Sequence, residues 1–245
     1  MPKRRLDQLL VDRGLAESQE RANALILAGA VSVNGQRVDK AGQGVALDAR
    51  VELAARQQYV SRGGFKLAGA LDHWSIDITG KICFDAGAST GGFTDCLLQR
   101  GAAKVYAYDA GRGQLDWKLR NDPRVVSREG VNLRHCAELR DLSHGAPPID
   151  FAVCDVSFIS MTLILPTVAA ILAPHGGIVI LIKPQFEVRR EDVGKGGIVR
   201  DPALHDAACR RVREAVERLG FHSDMISSPI LGAEGNREFL LYATH

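Results

Sequence analysis

A doubly wound α/β domain preceded by a small α+β unit is the fold class this sequence predicts, on three observations. From residue 81 onward, segments of strand and helix character alternate. The strands are near-continuous apolar runs, as in "KICFDAG" and "GIVILIK", which marks a mostly parallel sheet covered on both faces. Residues 1–56 hold instead two short helical stretches and a hairpin signal.

In the first unit, "RLDQLLVD" predicts a helix over 5–13, stopped by Gly14. Ser18 is placed to cap a second helix over 21–28, which Gly29 ends. "AVSVNGQRV" alternates Val31 and Val33, turns at Asn34-Gly35 and resumes at Val38, a hairpin pattern. "VALDARVEL" predicts one further short strand. Residues 57–62 are polar and read as a linker, so the expected division is 1–56, 57–62 and 63–245.

The second unit opens with a helix carrying Lys66. Next come the strand "KICFDAGAS", the helix "GGFTDCLLQRG", the strand "KVYAYDAG", the helix "QLDWKLRN" and the strand "RVVSREG". The strand "DFAVCDVSF", the helix "SMTLILPTVAAILA" and the strand "GIVILIKP" follow. A long helix, "PALHDAACRRVREAVERLG", leads to two final strands, "HSDMISSPIL" and "REFLLYAT".

Composition excludes several classes. With 46% apolar and 24% charged residues, the 245-residue chain is ordinary globular material. No apolar stretch approaches the roughly 18 residues that span a bilayer, and "MPKRRLDQLL" lacks the apolar core of a signal peptide. The expectation is a cytoplasmic protein without a membrane partner. The five cysteines are scattered without a C-x-x-C pair, and the seven histidines form no H-E-x-x-H cluster. Buried reduced thiols and no metal site are expected. Net charge is only +2, so any nucleic-acid surface must come from the arrangement of charge.

In sheets of this kind ligands bind outside the carboxyl ends of the strands. The first strand ends in "FDAGASTGGFT", with Asp85, Gly87, Ser89, Thr90, Gly91, Gly92 and Phe93. The second ends at Asp109, the third near Glu129 and Asn132, the fourth at Asp155 and the fifth at Lys183. The turn departs from G-x-G-x-x-G. Asp85 also puts a carboxylate where a pyrophosphate would need bare N–H groups, which disfavours a dinucleotide and suits a cation. With Asp109 placed to accept hydrogen bonds from a ribose diol, the set fits S-adenosylmethionine, whose sulfonium and amino groups are positive. The alternative for Asp85 is a turn or capping residue.

Lys183 is an amine delivered to the cleft mouth by a buried strand, beside Asp155 if the fourth and fifth strands are neighbours. Enzymes use such lysines as general bases. Desolvation and a second cation such as Lys66 favour the neutral amine, and Asp155 opposes it. Glu238, at the start of the last strand, is placed to orient Lys183 or Lys66. The alternative is a structural Lys183–Asp155 ion pair.

Two resemblances sharpen this reading. "RLDQLLVDRGLAES" with "RANALILAGAVSVNGQRV" resembles the RNA-binding domain named after small-subunit ribosomal protein S-four. One departure is Gln19, where that pattern carries arginine after the serine, with Arg21 two positions on. Lys66, Asp155, Lys183 and Glu238 match in order and element the K-D-K-E tetrad of FtsJ-like ribose 2′-O-methyltransferases. "DAGASTGGFTDCLLQRGA", "CDVSFIS", "KPQFE", "GKGGIVRD" and "GNREFL" resemble the TlyA family more narrowly, and the likeness covers essentially the whole chain.

That resemblance implies a Rossmann-like class I methyltransferase fold, S-adenosylmethionine as cofactor, and 2′-O-methylation of cytidine ribose in ribosomal RNA or ribosomal subunits. Lys66, Asp155, Lys183 and Glu238 are then the catalytic candidates. Asp85, Gly87, Ser89, Thr90, Gly91, Gly92, Phe93, Asp109, Asn132 and Asp155 are the cofactor candidates. "EVRREDVGKGGIVRD" reads as a mobile loop closing over RNA, with Arg189, Arg190, Lys195 and Arg200 on phosphates. Lys3, Arg4, Arg5, Arg21, Arg37 and Arg62 are further RNA candidates, those of the first unit on a shared face. Some members of the family carry the name hemolysin A, so a non-catalytic RNA-binding or cell-lytic protein is the alternative function. Transfer to a base nitrogen or a protein is a further alternative, and the lack of an N-P-P-Y motif disfavours base amines.

Overall fold

The computed structural model describes residues 2–53, 58–135 and 148–245, and the chain divides into two compact units, Met1–Gln58 and Tyr59–His245. The first unit runs β1 (Lys3–Arg5), α1 (Leu6–Asp12), α2 (Gln19–Leu27), β2 (Val31–Val33), β3 (Gln36–Arg37), β4 (Gly44–Ala46) and β5 (Val51–Leu53). Leu6, Leu10, Ile26 and Val31 form its core. Ser18 caps α2 by accepting from the Arg21 N–H at 3.2 Å. "VALDARVEL", expected as one strand, is two. The Ala49 N–H closes a turn onto the Ala46 carbonyl, so β4 pairs with β1 and β5 with β2.

Asp7 is fully buried in this unit and accepts from Arg5 Nη2 at 2.7 Å, Arg5 Nε at 3.1 Å, Gln19 Nε2 at 3.1 Å and the Gln8 N–H at 2.9 Å. The Arg5 hydrogen bonds, foremost, hold its carboxyl down to about 2, against 3.8 ordinarily. The folded value lies below the unfolded one, so this stabilisation is complete above pH 4 and lost as pH falls through 2. Allowing for the solvent around Arg5, it amounts to about 1–2 kcal/mol. Amide exchange in α1 and α2 should accelerate between pH 4 and 2, relative to the intrinsic rates, and Asp7→Asn should remove that pH dependence.

The second unit runs α3 (Gly63–His73), β6 (Ile82–Ala86), α4 (Gly92–Gln99), β7 (Lys104–Asp109), α5 (Trp117–Arg120), β8 (Val125–Glu129), β9 (Ile149–Cys154), α6 (Leu165–Ala169), β10 (Leu172–Ile182), α7 (Pro184–Glu187), α8 (Pro202–Glu217), β11 (His222–Ser227) and β12 (Phe239–Thr244). Seven strands form one sheet in the order β11-β12-β10-β9-β6-β7-β8, parallel except where β12 inserts antiparallel to β10 and β11. The order reverses between β6 and β9, the place where such sheets open a crevice.

Alternation along the strands fills both faces. Phe84, Tyr106, Ala152 and Ile180 meet α6 and α8 on one side, while Cys83, Val105, Val153 and Leu181 meet α3 and α4 on the other. Cys83, Cys96 and Cys154 are buried free thiols, and burial pushes the first two up to about 12. Cys136 lies outside the described residues.

Three expected segments differ. "QLDWKLRN" is helical only over Trp117–Arg120, because Asp116 turns its carboxylate onto the Lys118 N–H at 2.8 Å and starts the helix there. "SMTLILPTVAAILA" breaks into a 3-10 turn, Met161–Leu163, and the short α6. Pro166 lacks an N–H and is tolerated only in a first turn, so it starts a new helix. Residue 57 of the expected linker lies outside the described residues. From Tyr59 onward the stretch packs into the second unit, where the Tyr59 ring meets Phe65 edge-on at 5.1 Å and the Val60 N–H reaches Asp95 Oδ2 at 2.9 Å.

Candidate active site

Strand parity puts the candidate catalytic residues on one side of the sheet. Val153, Leu181 and Leu240 face α3 and α4, so Asp155, Lys183 and Glu238, each two residues away, follow the same parity at the same end. Lys66 reaches them from α3. Two ion pairs result: Lys183 Nζ to Asp155 Oδ1 at 2.6 Å, and Lys66 Nζ to Glu238 Oε2 at 2.5 Å. Lys183 also donates to Ser157 Oγ at 2.8 Å. Both members of the Lys66–Glu238 pair are buried, and the Glu238 carboxylate rests against Gly232, where any Cβ would collide with it.

Asp155 opens directly onto a cleft of about 560 Å³ at the reversal point, lined also by Gly87, Ser89, Asp109, Gln114 and Asn132 on the polar side. Val156, Phe158, Ile159 and Ile164 supply an apolar wall. The volume suits a nucleoside-sized ligand. Gly87 has φ of 89°, and a Cβ there would lie 2.7 Å from the Asp155 carbonyl oxygen. Gly87→Ala is expected to cost at least about 1–2 kcal/mol from the backbone conformation alone, with the cleft floor displaced as well. Denaturant unfolding reads this, and an unchanged midpoint would contradict it.

Asp109 accepts from the Ser89 N–H at 2.8 Å and the Gly111 N–H at 2.6 Å, which aims its carboxylate while leaving lone pairs toward the cleft. Glu129 accepts from the amides of Gly113, Gln114 and Leu115, and these bonds, Gly113 first, hold its carboxyl below the usual range. It thereby shapes the loop that carries Gln114.

Several residues expected at the cofactor do not line this cleft. Asp85 is fully buried on the α4 side, bonded to Thr94 Oγ1 at 2.6 Å, because it shares the parity of Cys83. Burial pushes its carboxyl up to about 7, and its Oδ1 has no hydrogen-bond partner. Gly92 and Phe93 are buried where α4 packs on α3, a Cβ on Gly92 would run into Ser61 Oγ, and Gly91 is buried against Leu115 and Leu119. Thr90 is exposed outside the lining. The sequence reading missed Ser157, Gln114 and the apolar wall. The one available signal was that "CDVSFIS" continues polar-apolar past the strand end.

The basic candidates are exposed but not uniformly available. Arg4 pairs with Asp12 at 2.5 Å, Arg5 with Asp7, and Arg189 with Glu191 at 3.1 Å. Arg37 donates to the Ala28 carbonyl at the end of α2, and Arg62 to the Leu231 carbonyl at 2.6 Å. The first-unit residues are spread over β1, α2 and β3 in two different sheets, so the expectation of one shared basic face gains no support. Lys3, Arg21, Arg190, Lys195 and Arg200 are exposed in loops and element starts. The loop expected to be mobile is held near its end: Asn236 accepts from the Val199 N–H at 3.1 Å and donates to the Gly197 carbonyl at 2.9 Å, and His205 Nε2 meets the Val199 carbonyl at 2.8 Å.

The family description FtsJ-like methyltransferase matches residues 59–245, and that of the S4 domain matches residues 4–51. A protein of Bacillus subtilis (strain 168) named YqxC, described as a candidate rRNA methyltransferase, is 48% identical over 242 residues, 98% of this chain and 85% of that protein. The 16S/23S rRNA (cytidine-2′-O)-methyltransferase TlyA of Mycobacterium tuberculosis (strain ATCC 25618 / H37Rv) is 44% identical over 241 residues, 97% of this chain and 88% of the relative. A solved structure of a candidate hemolysin from Streptococcus thermophilus matches at TM-score 0.73 and 44% identity, covering 100% of this chain and 89% of its own.

Proposed function

The chain belongs to the FtsJ-like methyltransferase family, and from that membership we propose that it methylates the ribose 2′-oxygen of a cytidine in ribosomal RNA. The observation that carries the reading is the strand-end amine of Lys183, 2.6 Å from Asp155, which itself lines the cleft at the sheet reversal. S-adenosylmethionine, when bound, supplies an electrophilic methyl group. The donor set fits it: Asp109 for the ribose diol, Asn132 and Gln114 for polar edges, and Ile159 and Ile164 against a flat ring. Asp85, fully buried and with its carboxyl pushed up to about 7, is left as a structural partner of Thr94.

Lys183 takes the proton of the attacking hydroxyl. To do so the amine first loses a proton of its own to solvent, while Asp155 and Ser157 hold it in place. Lys66 and Glu238 hold the neighbouring charge in place. The rest of the catalytic effect is positioning of the hydroxyl against the methyl group. The S4 domain, with Lys3 and Arg21 exposed, and the Arg189–Arg200 loop supply phosphate contacts.

The test is transfer of labelled methyl to ribosomal RNA and separated ribosomal subunits, with digestion to nucleosides. 2′-O-methylcytidine is expected, and label on a base would contradict the reading. The lytic alternative rests on names among relatives. No helix among the described residues is long and apolar enough to cross a membrane, and leakage of lipid vesicles at micromolar protein would be needed to revive it.

A further inference from the structure

The segment between β9 and α6, residues 155–164, forms one wall of the cleft, and its first half, before the 3-10 turn at Met161–Leu163, draws on contacts from outside the segment. Phe158 has φ of 66°, and the residue as a whole is 91% exposed. A bulky residue in that region persists only where its surroundings over-determine it. The surroundings are α7. Three successive contacts join the two segments: Lys183 Nζ to Ser157 Oγ at 2.8 Å, the Phe186 ring to the Phe158 ring at 5.3 Å, and the Glu187 carboxylate to residues 160 and 161.

The third contact is the strongest. Glu187 is 4% exposed, and each of its oxygens takes one donor at 2.6 Å: Ser160 Oγ–H on Oε2 and the Met161 N–H on Oε1. Burial pushes the Glu187 carboxyl above its usual range, and these two hydrogen bonds oppose that by favouring the ionised form. Its backbone carbonyl is held in turn by Arg211 Nη1 of α8 at 2.7 Å. The cleft wall is therefore tied through Glu187 to a helix packed on the sheet core. Nothing in the proton-transfer scheme uses this buried carboxylate.

Resting on the methyltransferase reading above, we propose that Glu187 is a positioning residue: it clamps residues 157–161 to the short helix that follows Lys183. One carboxylate thus sets both the apolar wall against the cofactor and the Ser157 contact of the base. Glu187→Ala removes both acceptors and leaves the Met161 N–H buried without one. Glu187→Gln retains an oxygen for Met161 while its amide donates to Ser160 Oγ, so it is the conservative rescue. Ser160→Ala removes one donor and leaves the carboxylate on Met161.

Two readouts test this on the full chain: calorimetric binding of S-adenosylhomocysteine, and single-turnover methyl transfer at saturating cofactor. Glu187→Ala should weaken binding and slow transfer, each by about tenfold to a hundredfold, since small misplacements have effects of this size. Glu187→Gln should recover most of both. The double variant with Ser160→Ala should be no worse than Glu187→Ala alone. If Glu187→Ala does not fold, the Glu187→Gln and Ser160→Ala pair reads the same coupling. A folded Glu187→Ala that binds and transfers as wild type overturns the proposal, as do effects that add to those of Ser160→Ala. A wild-type chain that neither binds S-adenosylhomocysteine nor transfers methyl removes the methyltransferase reading instead, and this one with it.

Discussion

Lys183→Ala should reduce methyl transfer by about a hundredfold to ten-thousandfold, the range that a positioned general base contributes, while cofactor binding stays within a few-fold. The separation follows from geometry. Lys183 touches Asp155 and Ser157 but does not itself line the cleft. Removing its amine frees Asp155 without taking a wall from the cofactor. A loss of cofactor affinity as large as the loss of transfer would make the lysine a structural counter-ion of Asp155. Lys183→Arg should not rescue, because a guanidinium cannot act as the base.

The second large effect is expected at the buried pair. Glu238→Ala leaves the Lys66 ammonium, 8% exposed, without its partner at 2.5 Å. Breaking a buried pair from one side costs about 3–5 kcal/mol, which lowers the melting temperature by roughly 10 °C in a unit of this size. Lys66→Met with Glu238→Leu replaces both by apolar side chains and should return most of that stability. Transfer should remain depressed in the double variant at temperatures well below its melting point. Recovery of activity along with stability would reduce the pair to a structural role.

Much of this site was legible because strand parity and strand order are written into the chain. Apolar runs ending in Asp155 and Lys183 place both at the carboxyl end of neighbouring strands, and β9 and β10 do pair. The same parity rule, applied to Cys83, would have put Asp85 under α4 rather than in the cleft. The choice of Lys66 for Glu238 was not legible, because it depends on β12 inserting beside β10, a non-local pairing. The roles of Glu129 and Glu187 were not legible for a related reason. Each acts on backbone amides of another loop, and no residue type in those loops announces the contact. Short-range chemistry explains the helix breaks at Asp116 and Pro166 once the caps are seen.

The relation of Lys183 to the transferred proton is tested most directly by the pH dependence of single-turnover methyl transfer at saturating cofactor and RNA. With the lysine amine as base, the wild-type rate should climb tenfold per pH unit on its acid limb and then level off. That limb should vanish in the residual activity of Lys183→Ala. A wild-type rate that is flat across the same range, or that falls as pH rises, would mean that the amine serves as a fixed positive charge and that the hydroxyl proton leaves by another route.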